Sequence, residues 1–588
     1  MNKSGSAFTA LKSLNPYLVR YRKKLLLGLF FVLLTNLFNV LGPVYVSQAI
    51  DSLKSSFSSS GLVYFGLLIV AFAIGRGIFL FLVRQTIIVV SREAEYDIRN
   101  DLYTHIQSLS MSYFKTHSTG DILAKNTNDI NAVRSYLGPG IMYSANTLVS
   151  FLFIIPTMFF VNWKLTLIAL IPLPLMSYLV FKVGKIIHHT YSGIQAQYST
   201  MTSRVQENLS GIRIVKSFVR EWFEIEQFDH LNREYLKKNL KLGRLQAIFY
   251  SSMSLLIGLS VVLVIWVGGY LVIQNELTLG NMTQFVMYVG MLIWPMIALG
   301  WVINIIQQAS ASQARLNLIM NEVAEIKDDE KTNRSIVDIV GKVEFSKVDF
   351  SFPDRESVLK NISFSVFPGQ ILAVTGHTGS GKSTLVNLVM RLFDTKSGTI
   401  LIDGNPIQSI PLKVLRQSIG YVPQESFLFS DTIRNNITFG VEFPNDEDIQ
   451  DVSETALIRE NIEDFPQKFE TFVGERGITL SGGQKQRTTI ARALMREPKI
   501  LILDDCLSAV DTQTEDLILQ RLREVMKQRT SIIISHRIST IKGADLILVL
   551  HDGEIAERGT HEELLALNGH YSSLYQKQLL EEELKAIN

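Results

Sequence analysis

The sequence predicts a multi-domain chain: an all-α domain of six membrane-spanning helices, then an α/β domain built on a phosphate-binding loop. Three observations carry this. Long uncharged apolar runs crowd the first half of the 588 residues, whereas charge is spread through the second half. From about Ile339 the pattern changes to short apolar strands alternating with helix-like stretches. Finally, Gly376-His377-Thr378-Gly379-Ser380-Gly381-Lys382-Ser383-Thr384 matches G-x-x-x-x-G-K-[ST] between strand-like Ile371–Thr375 and helix-like Thr384–Met390.

Composition agrees with a membrane protein diluted by a soluble half. Hydrophobic residues make up 47%, charged residues 19%, and mean hydropathy is +0.20. The chain is too long for one ordinary domain. A net charge of +2 gives no argument for nucleic acid. The single cysteine, Cys506, excludes an internal disulfide framework and a zinc–cysteine cluster; it follows an apolar strand and reads as a small buried residue.

The six spans are expected at Leu25–Val46, Leu62–Val83, Ile141–Val161, Leu165–Phe181, Ile248–Ile273 and Phe285–Ile306. A bilayer needs roughly 20 apolar residues. Pro43, Pro156, Pro172, Pro174 and Pro295 fall inside these spans, where membrane helices tolerate kinks. Short, nearly neutral connections follow the first, third and fifth spans. Long charged ones, Arg84–Gly140 and Lys182–Ala247, follow the second and fourth and read as helices continuing out of the membrane. Gly120-Asp121 and Gly211-Ile212 mark expected turns at their tips. The N-terminus carries Lys3, Lys12, Arg20, Arg22, Lys23 and Lys24 with no acid, which places it, the long connections and the soluble half in the cytoplasm. It lacks the pattern of a cleaved signal peptide, and Phe8–Val19 has the spacing of an interfacial helix. The expected domains are residues 1–24, a membrane domain 25–325, a linker 326–338 and a nucleotide-binding domain 339–588.

Arg76 is a charge within the second span. Such a residue has a functional reading, as part of a substrate path, and a plainer one, in which it snorkels or faces water. The methionines and aromatics of the fifth and sixth spans, among them Met253, Tyr288, Met291 and Trp294, either line an adaptable apolar pocket or pack against helices and lipid. No cluster of basic residues stands out in the spans, which favours uncharged or cationic over phosphorylated amphiphiles.

The phosphate loop needs partners. Strand, loop and helix start place N–H groups around a polyphosphate, with Lys382 reaching the β/γ-phosphates and Ser383 ligating Mg²⁺. Ile500-Leu501-Ile502-Leu503-Asp504 is a buried parallel strand ending in a carboxylate for Mg²⁺. Between them, Leu480-Ser481-Gly482-Gly483-Gln484 places a hydroxyl and closely spaced glycine N–H groups at a helix start, an anion site.

Leu480–Gln484 resembles the signature sequence of ATP-binding-cassette proteins, and other motifs of that family occur in order within Gly341–Gly559. Tyr421-Val422-Pro423-Gln424 resembles the Q-loop, Ser508-Ala509-Val510-Asp511 the D-loop, and Ser535-His536-Arg537 the switch region. Phe352 stands where the family has an adenine-stacking aromatic, usually Tyr; Phe keeps the stacking face. The resemblance implies two ATP molecules sandwiched between two cassettes, Ser481, Gly482, Gly483 and Gln484 facing the nucleotide held by the opposite one. It implies Gln424 near Mg²⁺, His536 on the γ-phosphate, and Asp504 and Ser383 as metal ligands. The six spans and C-terminal cassette resemble an exporter half-transporter. Thr119–Ile122 with Asn126–Asp129 resembles its first coupling region, and Gly211–Phe218 the approach to the second. Leu501–Asp511 most resembles the MdlA-type subunit of bacterial heterodimeric multidrug-like exporters.

Position 505 departs from the family, which usually has Glu there to orient the attacking water. Asp505 is one methylene shorter, and a base misplaced by roughly 1 Å can cost ~10²-fold in rate. The resemblance thus implies a bacterial cytoplasmic-membrane ATPase exporting amphipathic or hydrophobic small molecules. It further implies pairing with a second half-transporter, with one of the two ATP sites degenerate. A homodimer using Asp505, a lipid flippase of the same architecture, and a non-transporting regulatory ATPase are the alternatives.

Overall fold

The computed structural model describes residues 9–55, 59–353, 356–507 and 512–587. They pack as two units: Met1–Ser108 with His117–Glu322, and Leu109–Thr116 with Val323–Asn588.

The first unit is helical because its apolar runs have no alternative way to satisfy their backbone in lipid. Among the described residues, six helices are long and apolar enough to cross a bilayer: α1 (Arg22–Leu53), α2 (Ser60–Ser108), α3 (Thr119–Val161), α4 (Trp163–Ser210), α5 (Glu221–Ile273) and α6 (Leu279–Met320). Each contains one expected span. At 42 to 53 residues, α2 to α6 run well beyond the roughly 20 that a bilayer requires. Pro43, Pro156 and Pro295 sit inside helices. Pro172 instead restarts α4 after a turn at Ile171, since it has no N–H for a preceding carbonyl.

Large side chains from five helices meet around α6. Phe285, Tyr288 and Leu292 pack with Val40, Ile154, Met158, Leu165, Ala169 and Val264. The Tyr288 hydroxyl donates to the Val40 carbonyl at 2.9 Å, so the only polar group of that ring is satisfied. Asp129 is buried and holds the Arg315 guanidinium in a two-pronged contact, which ties α3 to α6. Before α1, short helical stretches at Lys12–Leu14 and Asn15–Arg20 attach to α2 through Tyr17–Asp101 and Arg20–Asp97, both at 2.7 Å. Phe8 lies outside the described residues.

The two expected tips differ. Gly211 does end α4, its N–H donating to the Glu207 carbonyl at 2.8 Å. Gly120 does not mark a break: Ser118 caps the start of α3, its hydroxyl accepting from the Asp121 N–H, and Gly120 lies inside the first turn. The break comes earlier. A separate helix, Met111–Thr116, lies between α2 and α3, and its segment Leu109–Thr116 packs with the second unit. There Ser110 accepts from the Ile326 N–H at 3.0 Å, and Ser112 donates to Glu325 at 2.6 Å. The last membrane helix stops at Met320, and the chain runs to the first strand in irregular structure.

The second unit holds two sheets. The antiparallel one runs β2 (Ser357–Val366), β1 (Val343–Ser351), β4 (Ser397–Ile402), β5 (Asn405–Pro406). The larger runs β10 (Glu554–Gly559), β9 (Leu546–His551), β3 (Ile371–Gly376), β8 (Thr530–Ile534), β7 (Ile500–Asp504), β6 (Ile419–Val422), parallel except for the β9–β10 pair. Its central strands β7 and β8 are buried at every position because both faces are covered. In β7, Leu501 and Leu503 enter one core; Ile500 and Ile502 enter the other. Leu501→Ala should lower cassette stability by about 2–5 kcal/mol, read as a lower denaturant midpoint for the purified chain.

Candidate functional site

The parallel register brings the site together. Val374 of β3 stands beside Ile534 of β8, which stands beside Asp504 of β7, so all three strands end at one edge. The loops leaving that edge carry the phosphate-binding motif, Asp505 and His536. They surround a cavity of about 230 Å³ lined by Thr378, Gly379, Gly381, Lys382, Ser383, Thr384, Gln424, Asp504, Asp505 and His536, with Val358 and Ile534 as apolar walls.

The loop conformation needs its glycines. Gly381 has φ +101° and precedes α7 (Lys382–Val389); a Cβ there would stand 2.7 Å from Leu359. Gly376 has φ +144°, and a Cβ would meet the Leu550 carbonyl at 2.2 Å. Lys382 is buried and donates to the carbonyls of Gly376 and His377 at 2.9 and 2.8 Å. Burial lowers its pKa, which the carboxylates of Asp504 and Asp505 oppose. Ser380 Oγ is buried without a hydrogen-bond partner among the described residues. An unpaired hydroxyl, a cation held only by neutral carbonyls and a helix N-terminus fit a bound polyphosphate. His377 turns away: its ring lies 3.5 Å from Asp552 and near His551, and it does not line the cavity.

Ser383 hydrogen-bonds the Asp504 carboxylate, whose pKa burial raises and this bond opposes. A hydroxyl and a carboxylate meeting beside the loop are a hard-oxygen donor pair of the kind Mg²⁺ takes. Asp505 has a left-handed backbone, φ +47°, and its N–H donates to the Ile534 carbonyl at 2.8 Å. Its Oδ2 accepts from Gln424 Nε2 at 3.3 Å. Burial and the nearby Lys382 charge push His536 below its usual pKa despite Asp505, so its imidazole is neutral at pH 7.

Ser481 caps the helix α8 (Gly482–Leu494). Its hydroxyl accepts from the Gln484 N–H, and the Gln484 side chain accepts from the Ser481 N–H at 2.9 Å. Ser481, Gly482, Gly483 and Gln484 are not walls of the phosphate-loop cavity. Neither is Phe352, which packs edge-on against Phe350 and Phe393. Ser508–Asp511 lies outside the described residues.

Two features escaped sequence reasoning. Lys115, on the Met111–Thr116 helix, places its Nζ 3.6 Å from the centre of the Phe352 ring, a cation–π contact with the expected adenine platform. Glu515 is buried and takes Arg537 and the Thr540 hydroxyl (2.7 Å) as partners, which fixes the loop carrying His536 to the helix after β7. Neither lies in a motif with a known spacing, and each depends on segments far apart in sequence.

Comparison with known proteins places this geometry. Residues 25–296 match the family model of the ABC transporter transmembrane region, and residues 359–508 the family model described as ABC transporter. A probable multidrug resistance ABC transporter ATP-binding/permease protein of Bacillus subtilis, YheI, is 38% identical over 97% of this chain and 98% of its own. The multidrug resistance-like ATP-binding protein MdlA of Escherichia coli is 34% identical over 97% of both. An ATP-dependent lipid A-core flippase of Syntrophus aciditrophicus is 37% identical over 83% of this chain and 81% of its own. The solved structure of a bacterial Atm1-family ABC exporter with ATP bound superposes with a TM-score of 0.78, at 28% identity over 95% of this chain and 98% of that one.

Gly381→Ala should strain the loop by about 1–3 kcal/mol and weaken binding of a fluorescent ATP analogue roughly tenfold or more, measured by equilibrium titration.

Proposed function

This chain belongs to the ABC transporter family as an exporter half-transporter, an ATPase coupled to transport across a membrane, and we propose that it exports amphipathic or hydrophobic compounds from the cytoplasm as one half of a heterodimer. Its own phosphate loop holds the slowly hydrolysed ATP. Its signature, Ser481–Gln484, completes the fast site of the partner. The observation that carries this is Asp505. Its N–H is tied to the Ile534 carbonyl in a packed parallel sheet, so the backbone cannot advance to make up the missing methylene. A water placed for the longer Glu side chain is then poorly oriented.

On this reading the N–H groups of Gly379–Ser383 and the Lys382 ammonium bind the phosphates, Lys382 leaving the Gly376 and His377 carbonyls to do so. Phe352 offers a face to the base. Ser383, Asp504 and Gln424 would hold Mg²⁺, which supplies charge neutralisation to the β- and γ-phosphate oxygens. Neutral His536 donates a hydrogen bond to the γ-phosphate, and Gln424 keeps Asp505 turned toward the water. Closure of two cassettes around ATP favours one state of the membrane helices, and release favours the other. A homodimer is the alternative, and a lipid is the alternative cargo.

Two measurements test this. ATP-dependent accumulation of a drug-like dye in inside-out vesicles should be seen; uptake of labelled lipid alone would favour a flippase, and no uptake across a broad panel a regulatory ATPase. In the chain purified alone, Asp505→Glu should raise ATP turnover by up to ~10²-fold. A parent chain that is already a fast ATPase by itself would sink the heterodimer account.

A further inference from the structure

The first unit contains a cavity of about 430 Å³ remote in sequence from every cassette motif. It is bordered by α1, α2, α3 and α6, and its volume suits a drug-sized ligand. Its chemistry is one-sided. Arg76 and Arg84 both line it, and among the described residues neither makes an ion pair or hydrogen bond. Among the described residues, no carboxylate lines it. The sequence placed Arg84 in a connection, apart from Arg76. In the structure α2 continues through it, with a π turn at Arg84–Ile88, and both arginines line one space.

The neighbouring amides also point to an anion. Asn36 is saturated: it donates to the Val32 carbonyl and to Asn146 Oδ1, both at 2.9 Å, and accepts from Ser150 at 2.6 Å. The bond from Asn36 uses the Asn146 oxygen as acceptor, which leaves the Asn146 NH₂ as a donor beside the cavity. Asn39 adds an amide with no partner among the described residues. Trp294 and Met291 supply an apolar wall. A cation in a membrane span is costly unless it meets a substrate, an ion or water, and Arg76 lies in the expected second span, with Arg84 just beyond its end.

The geometry points to a binding site for an anionic amphiphile: a phosphate, sulfonate or carboxylate head at Arg76 and Arg84, and an apolar body against Trp294 and Met291. This rests on the transport reading above and reverses the sequence-based preference for uncharged or cationic cargo. The guanidinium groups select charge through bidentate, charge-assisted hydrogen bonds, and the Asn146 amide fixes the head.

The test is binding without nucleotide, so that it stands apart from transport. The full-length protein, with any co-purifying subunit, is placed in nanodiscs of zwitterionic lipid. Radiolabelled lysophosphatidate, an uncharged monoacylglycerol of the same chain length and inorganic phosphate are each titrated. Lysophosphatidate should bind about tenfold or more tighter than the monoacylglycerol, an advantage that shrinks with added salt. The double substitution Arg76→Gln with Arg84→Gln should erase the difference, and Arg76→Lys with Arg84→Lys should keep most of it. Equal affinity for the two lipids in the unsubstituted protein overturns the inference whether or not the variants fold. Inorganic phosphate binding as tightly as lysophosphatidate overturns the amphiphile and leaves a small-anion site. Charge-selective binding with no ATP-driven uptake would instead remove the transport reading alone, and dye uptake without charge selectivity would remove only this inference.

Discussion

The parallel register of β3, β8 and β7 is the constraint on which the ATP-binding half depends. Main-chain pairing aligns Val374, Ile534 and Asp504, so three loops from distant sequence leave one edge together. The phosphate loop, the carboxylates and the switch histidine therefore share a site without direct bonds between most of them. The register is held by apolar residues on both faces, because shifting a strand by one residue would exchange its two cores. The same rigidity restrains Asp505. Its backbone is bound to β8, so its reach is that of its own short side chain.

The membrane half depends on a different economy. In place of a single sheet edge it uses polar groups satisfied inside an apolar bundle: Tyr288 on Val40, Asn36 on Asn146 and Ser150, Asp129 on Arg315. Among the described residues, Arg76 and Arg84 have no such partner. Both are exposed on the cavity side of the chain, where an anionic ligand would pair them.

Much of both halves was legible. Apolar runs of span length marked all six helices, since lipid leaves the backbone few options. The phosphate loop and its strand were readable because the chemistry demands fixed spacing: Gly376, Gly379 and Gly381 all have the left-handed backbone that glycine tolerates. Turns were less legible. Gly120 looked like a break, but Ser118, a better cap, started the helix before it, and the true tip carried no glycine. His377 sat in the motif by position yet faces His551 and Asp552.

By itself the sequence determined the chain's class: spans, a nucleotide loop, ordered cassette motifs, and the shortened residue at 505. Each of these is local, written within some twenty consecutive residues, where length, spacing and side-chain type suffice. Tertiary structure alone decided what depends on convergence. It put Lys115 on the face of Phe352, Glu515 behind the His536 loop, and Arg84 beside Arg76 on one cavity with Asn39 and Asn146. Except for Arg76 and Arg84, which share one helix, those residues come from segments tens to hundreds of residues apart, and only packing sets which of them meet.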